Sequence, residues 1–150
     1  MNTDYTCFVE INLNGGDVTI EVDGDGQKFR FLSGIGFVAL PNFFFVLSNF
    51  YKRELFEARL DCHGNADFYD LTSDGNSLQI EHTSHYTEED KYNYTFNLKN
   101  YIMAVDKGFY KYIQQFYKDG KLPLEFCEMS HPLNKNVIKS YKEFSSLINS

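Results

Sequence analysis

Tryptophan is absent from the 150-residue chain, and only three prolines and three cysteines occur. Cys7, Cys62 and Cys127 are odd in number, widely spaced and without a CxxC pair. That pattern argues against a disulfide framework and for buried free thiols. No apolar run approaches the roughly 20 residues that a membrane helix needs. The opening segment MNTDYTCF carries neither a basic n-region nor an apolar h-region, so a soluble, cytoplasmic protein with no membrane partner is expected. Positive charge is also scarce: 14 Lys and Arg stand against 21 Asp and Glu, a net of −7. A surface of that sign repels phosphates at long range, which makes nucleic acid a poor partner for the molecule as a whole.

Aromatic residues, by contrast, are plentiful, with 15 Phe and 11 Tyr. Disordered chains lack the apolar surface needed to offset the entropy lost on ordering, so this density indicates a packed globule. The length is that usual for one domain, and residues 1–150 read as a single domain.

Hydropathy patterning divides the chain into strands and helices. Tyr5, Cys7, Val9, Ile11 and Leu13 alternate with polar residues, interrupted by Phe8 on the polar side. Asn14-Gly15-Gly16 and Asp23-Gly24-Asp25-Gly26 separate this run from Val18, Ile20 and Val22, and those from Phe29 and Phe31, predicting a three-strand meander. Pro41 suits the first turn of a helix whose apolar face includes Phe43, Phe44, Val46, Leu47, Phe50 and Tyr51, ending near Lys52 and Arg53. Phe56, Ala58, Leu60 and Cys62 then share one strand face, and His63-Gly64-Asn65 turns the chain. Residues 66–72 alternate poorly and leave their faces unassigned. Ser73-Asp74-Gly75-Asn76 is a turn, followed by Leu78, Ile80 and His82 on one face, a polar loop at Glu88-Glu89-Asp90, and a strand with Tyr92, Tyr94, Phe96 and Leu98 together. A helix with Asn100 as its cap and Gly120 as its stop carries Ile102, Val105, Phe109, Ile113 and Phe116. Leu122 to Phe126 reads as extended, and Asn134 caps a last helix with Val137, Tyr141, Phe144 and Leu147. The fold class is therefore α+β: antiparallel sheets of about six to seven strands, with one central helix and two C-terminal helices packed on them.

No motif specifies a chemistry. Gly34-x-Gly36 lacks the third glycine and the βαβ setting of a phosphate fingerprint, and Asp23-x-Asp25 lacks the closing Glu of a calcium loop. Cys62 and His63 are strand neighbours whose side chains point apart, so neither activates the other. His82 and His85 lie three apart on a strand and face opposite sides, which argues against joint metal ligation. His82 reads as a hydrogen-bonded core histidine and His85 as an exposed one. Lys107, Lys111 and Lys118 share one helix face, which solubility explains as well as phosphate binding does. No catalytic residue, metal or cofactor is assigned.

Charge is concentrated in the middle of the chain. Residues 54–90 hold ten acids against Arg59 alone, a net of −9, more than the −7 of the whole chain. Charges at alternate positions of adjacent antiparallel strands share one sheet face. That places Glu57, Asp61 and Glu81 in one patch and puts the turn acids Asp74, Glu88, Glu89 and Asp90 at its rim, while Asp67 and Asp70, on the strand of unassigned faces, are counted with them as candidate partner-binding residues. Such a field attracts a basic partner, with Tyr69, Tyr86 and Tyr92 as candidate aromatic anchors.

The acid-bearing stretches ELFEARLDCHGNADFYDL and EHTSHYTEED, in a small, acidic, aromatic-rich α+β chain, resemble the immunity proteins of bacterial contact-dependent inhibition and related polymorphic toxin systems. The resemblance implies a cytosolic, non-catalytic inhibitor that binds one cognate toxin domain, often a nuclease with a basic active site, and blocks it. Two alternatives stand beside it. One is a small hydrolase using carboxylates with His82 or His63, which requires a cleft with convergent titratable groups. The other is an oligomerising scaffold with an exposed aromatic patch.

Overall fold

The computed structural model describes residues 4–61, 67–84, 90–122 and 129–150. The architecture is α+β, and among those residues seven strands are divided between two antiparallel sheets, one of three strands and one of four. In the first sheet, β1 (Thr6–Ile11), β2 (Val18–Gly24) and β3 (Gln27–Ser33) form the expected meander, in register Val9↔Ile20↔Phe31. Asp25 and Gly26 both take positive φ, 53° and 76°. That is what a two-residue hairpin turn needs to follow the strand twist. Phe8, which broke the polar alternation, is exposed on the outer face.

The central helix α1 (Gly36–Tyr51) begins five residues before Pro41, so the proline lies inside the helix and not in its first turn. The start is fixed by tertiary contacts, not by a side-chain cap. The Gly36 N–H donates to the Gly16 carbonyl at 2.9 Å. A Cβ at Gly36 would lie 2.5 Å from Val18 and 2.8 Å from that same carbonyl, so only glycine allows the close approach.

The second sheet runs in sequence order through β4 (Glu57–Asp61), β5 (Asp67–Ser73), β6 (Ser77–Ser84) and β7 (Asp90–Asn97). Asp67, Tyr69 and Leu71 of β5 face inward, settling the strand whose alternation was ambiguous. Phe56 does not join the inward face of Ala58 and Leu60: it precedes the strand and is 52% exposed. The turn at 63–65, Cys62, His85 and the run 123–126 lie outside the described residues.

Two helices follow, α2 (Leu98–Lys118) and α3 (Lys135–Ile148). Leu98 is the first helical residue and not the last of the strand, and the cap is Asn97, whose side chain accepts from the Asn100 N–H at 2.9 Å. Asn100 is thus the capped residue, because the chain leaves β7 directly into the helix. Gly120, at φ 72°, ends α2, and Asn134 caps α3 as expected by accepting from Val137 N–H.

The helices do not simply cover one sheet. α2 touches β1 and β2 of the first sheet and β6 and β7 of the second, while α1 packs chiefly on α3. Phe44 of α1 meets Phe109 of α2 and Tyr141 and Phe144 of α3, with ring centroids 4.9, 5.7 and 5.3 Å apart. The buried Asp106 carboxylate accepts from Tyr141 Oη–H at 3.1 Å and Asn149 Nδ2–H at 2.9 Å, fastening α3 to α2.

Side chains also join the two sheets. Tyr69 packs edge-on against Phe29 and Phe31 of β3, and its hydroxyl accepts from the Leu32 N–H at 3.3 Å. Gln27 brackets the outer edge of β7, its amide group donating to the Thr95 carbonyl and accepting from the Thr95 N–H. The Tyr5 hydroxyl accepts from the Asn97 N–H two residues on. Edge groups that could recruit another strand are thereby closed off.

Gly108, in the middle of α2, tests the contact between helix and sheet. Helix propensity alone favours Ala there by about 1 kcal/mol. An added Cβ would lie 2.9 Å from the Cys7 side chain and 3.0 Å from its carbonyl oxygen, and the backbone atom cannot rotate away. Packing therefore outweighs propensity, and Gly108→Ala should lower the unfolding free energy by about 1–3 kcal/mol. A urea midpoint that rises on this substitution would show that β1 and α2 separate without cost.

Candidate functional site: an open sheet face

Alternation along the second sheet places two groups of residues on its outer side. One row across the four strands reads Arg59, Asp70, Glu81, Asn93, and the next reads Glu57, Thr72, Gln79, Thr95. Glu57, Asp70 and Glu81 therefore share one face, as their spacing predicted for Glu57 and Glu81. A groove of about 230 Å³ runs along this face, lined by Asp70, Thr72, Gln79, Glu81, Asn93 and Thr95 among others.

The charges on this face are ordered. Asp70 and Glu81 are directly opposite on neighbouring strands, a separation at which like charges repel. Each has a cation on its far side. Arg59 grips Asp70 through two hydrogen bonds, Nε at 2.8 Å and Nη2 at 3.1 Å, and its guanidinium lies over the Phe68 ring, 5.2 Å from the centroid. Lys91 stands 3.9 Å from Glu81. The Asp70 contact holds the Arg59 guanidinium above its ordinary pKa. Glu57 has no ion-pair partner among the described residues. The face is thus a patterned surface with acids at its centre and a fixed arginine beside them, not a uniform acidic field.

The remaining acids divide differently. Asp67 faces the core, 6% exposed, with Oδ1 2.7 Å from His82 Nε2. It does not belong to the outer face, because β5, whose alternation left its faces open, enters the sheet with Asp67, Tyr69 and Leu71 inward. His82 stacks on Tyr69 at 4.6 Å and is the hydrogen-bonded core histidine that its strand position implied. Asp74 accepts from Asn76 N–H at 2.9 Å and Ser77 N–H at 2.8 Å, and these bonds hold its carboxyl below the usual range. It closes its own turn, and a partner would have to compete with those bonds. Asp90 is exposed at the start of β7. Asp61 continues β4 opposite Phe68 by its backbone, and Glu88, Glu89 and Tyr86 lie outside the described residues.

Of the aromatic anchors expected, Tyr69 is fully buried and cannot reach a partner, whereas Tyr92 is 48% exposed. The contributions of Arg59 and Phe68 were missed. The signal for them was the register, since Arg59 pairs with Asp70 only once β5 is placed with Tyr69 inward. Among the described residues, no group of three or more His, Cys, Asp or Glu side chains is placed to hold a metal ion. No described helix is long and apolar enough to cross a membrane. Neither a protein-family model, nor a curated protein, nor a solved structure matches this chain.

Cys7 is a nucleophile candidate by residue type but not by environment. Burial, with the Glu21 carboxylate adding to it, pushes its thiol up to about 12, whereas a free thiol ionises near about 8.5. The folded state therefore keeps the proton longer than the unfolded one. The stability this confers is complete below about pH 8.5 and is lost as pH rises toward 12, by at most about 1.4 kcal/mol per unit. Comparing denaturation midpoints at about pH 7.5 and about pH 9.5 in the parent and in Cys7→Ala isolates the thiol, because the tyrosine phenols, which begin to ionise by about pH 9.5 in the unfolded chain, contribute equally to both. Cys7→Ala should flatten the decline seen in the parent, and an identical decline in both would show that the Cys7 thiol ionises freely in the fold.

Proposed function

We propose that this chain is a non-catalytic inhibitory binding protein, which neutralises a basic toxin domain by docking it on the outer face of the four-stranded sheet. The observation that carries this reading is the convergence of Asp70 and Glu81 on one groove of the sheet face that Glu57 shares by register. A nuclease presents lysines, arginines or histidines to phosphate, and carboxylates on a rigid sheet can occupy the same cations. Strands hold such groups more precisely than loops do, and the Arg59 clamp fixes the Asp70 carboxylate before any partner arrives. A cation entering between Asp70 and Glu81 would relieve their mutual repulsion, so part of the binding energy is already stored as that repulsion. Close, desolvated charge pairs in comparable complexes show couplings of about 1.5–7 kcal/mol. An interface of about 800 Å² per partner would use roughly 20–30 residues, and such a protein would work in the cytoplasm of the cell that makes the toxin.

The test is titration against a basic nuclease domain encoded directly upstream, at low and high salt, with the nuclease activity followed in parallel. The parent chain should bind, suppress cleavage and lose affinity as salt rises. The double reversal Glu57→Lys with Glu81→Lys should slow association by about tenfold or more. Affinity that ignores both salt and the reversal would sink the electrostatic reading.

A further inference from the structure

A second depression, of about 390 Å³, lies where the end of α1, the β5–β6 turn and the start of α2 meet. Its walls include Tyr51, Arg53, Asn76, Asn97, Lys99 and Asn100, two cations and no acid. It shares no residue with the groove on the sheet face. The chain has three arginines. Arg30 is paired with Glu21 and Arg59 with Asp70, whereas Arg53 has no carboxylate partner among the described residues. The neighbouring acids are engaged elsewhere, Glu54 with Lys52 and Asp74 within its own turn.

Arg53 is also held in place. It takes φ 60°, and its guanidinium lies across Gly75, where a Cβ would sit 3.3 Å from Nε. Its Nη2 donates to the Asn76 side-chain oxygen at 3.4 Å. Lys99 likewise has no ion-pair partner among the described residues. Arg53 Nη2 also reaches the Gly75 carbonyl at 3.5 Å, so the arginine braces the β5–β6 turn, yet neither it nor Lys99 has its charge met by a carboxylate among the described residues.

We propose that this depression binds the phosphate group of a small ligand. Two cations match a dianion, a guanidinium fork matches two phosphate oxygens, and the asparagine amides can donate to the rest. Recognition rests on side chains and not on the helix end, because the Leu98 N–H already donates to the Asn76 carbonyl and the Asn100 N–H to Asn97. The acidity of the whole molecule does not oppose this, since charges more than about 8 Å away are screened at physiological salt. The volume exceeds that of a phosphate and leaves room for the group it is attached to.

The experiment is a titration of the isotopically labelled full chain, followed by amide resonances, with inorganic phosphate, glycerol phosphate and acetate as separate arms at constant ionic strength. Saturable shifts should be confined to the amides of residues 75–76 and 98–100, with tighter binding of whichever phosphate source is native. Arg53→Gln and Lys99→Gln should each weaken binding by about tenfold, equivalent to about 1.4 kcal/mol. Lys99 is exposed on the helix surface, so its variant decides the matter should Arg53→Gln fail to fold. Shifts that do not saturate, that spread over the chain, that acetate reproduces equally, or that survive Lys99→Gln unchanged would overturn the proposal.

Discussion

The two sheets are held as one body by the ring of Tyr69. It is fully buried, opposite Leu60 on one neighbouring strand and His82 on the other. Its edges meet Phe29 and Phe31 of the first sheet, and its hydroxyl satisfies a backbone N–H of β3 that the sheet ladder leaves over. A phenylalanine there would fill nearly the same volume and take away the partner of that part-buried N–H, whose loss costs at most about 1–3 kcal/mol. Since β5 pairs without a break with both of its neighbours and side chains alternate along such a strand, fixing Tyr69 inward fixes the faces of the other residues of β5. Asp67 must then enter the core and find His82, and Asp70 must emerge beside Arg59.

That phase has consequences for electrostatics. Read along the chain, residues 54–90 look like an unbroken acidic reserve. In space Asp67 answers a core histidine, Asp74 ties its own turn, Glu54 meets Lys52, and Asp70 is gripped by Arg59. Exposed ion pairs contribute at most about 1 kcal/mol each, so the pairings on the sheet face are weak stabilisers, and placing Asp70 opposite Glu81 works against stability. The arrangement is better understood as positioning: counter-ions flank two carboxylates and leave the space between them for another cation. The molecule carries the opposite arrangement where α1 ends and α2 begins, with cations that lack carboxylate partners among the described residues around a depression. Its surface is therefore divided by sign more sharply than its net charge indicates.

Several parts of this organisation are legible in the residue pattern alone. The meander, its Asp25-Gly26 turn, the burial of Phe43, Phe44, Leu47 and Phe50, the core role of His82 and the capping by Asn134 all follow from local chemistry. In each case the deciding partner lies within a few residues or in the next strand. Two of the failures share one property, namely that the decisive contact came from far along the chain, whereas the cap of α2 was misplaced by only three residues. α1 begins early because Gly36 finds the carbonyl of Gly16. Asn97 rather than Asn100 caps α2 because β7 delivers the chain straight into the helix. Tyr69 could be named as an aromatic of the acidic region, but its burial depends on β3, 37 residues away by the Leu32 contact.

Composition and periodicity by themselves determined the fold class, most of the strands and helices, and the presence of outward-facing carboxylates at alternate positions, because those properties depend on the backbone period and on neighbours in sequence. Only the tertiary structure decided which acids meet solvent and which are consumed internally, how the sheets join, and that Arg53 and Lys99 border one depression. The physical reason is that a one-residue change of phase in a strand turns all its side chains over. That phase is set by packing against another sheet, which no local pattern contains.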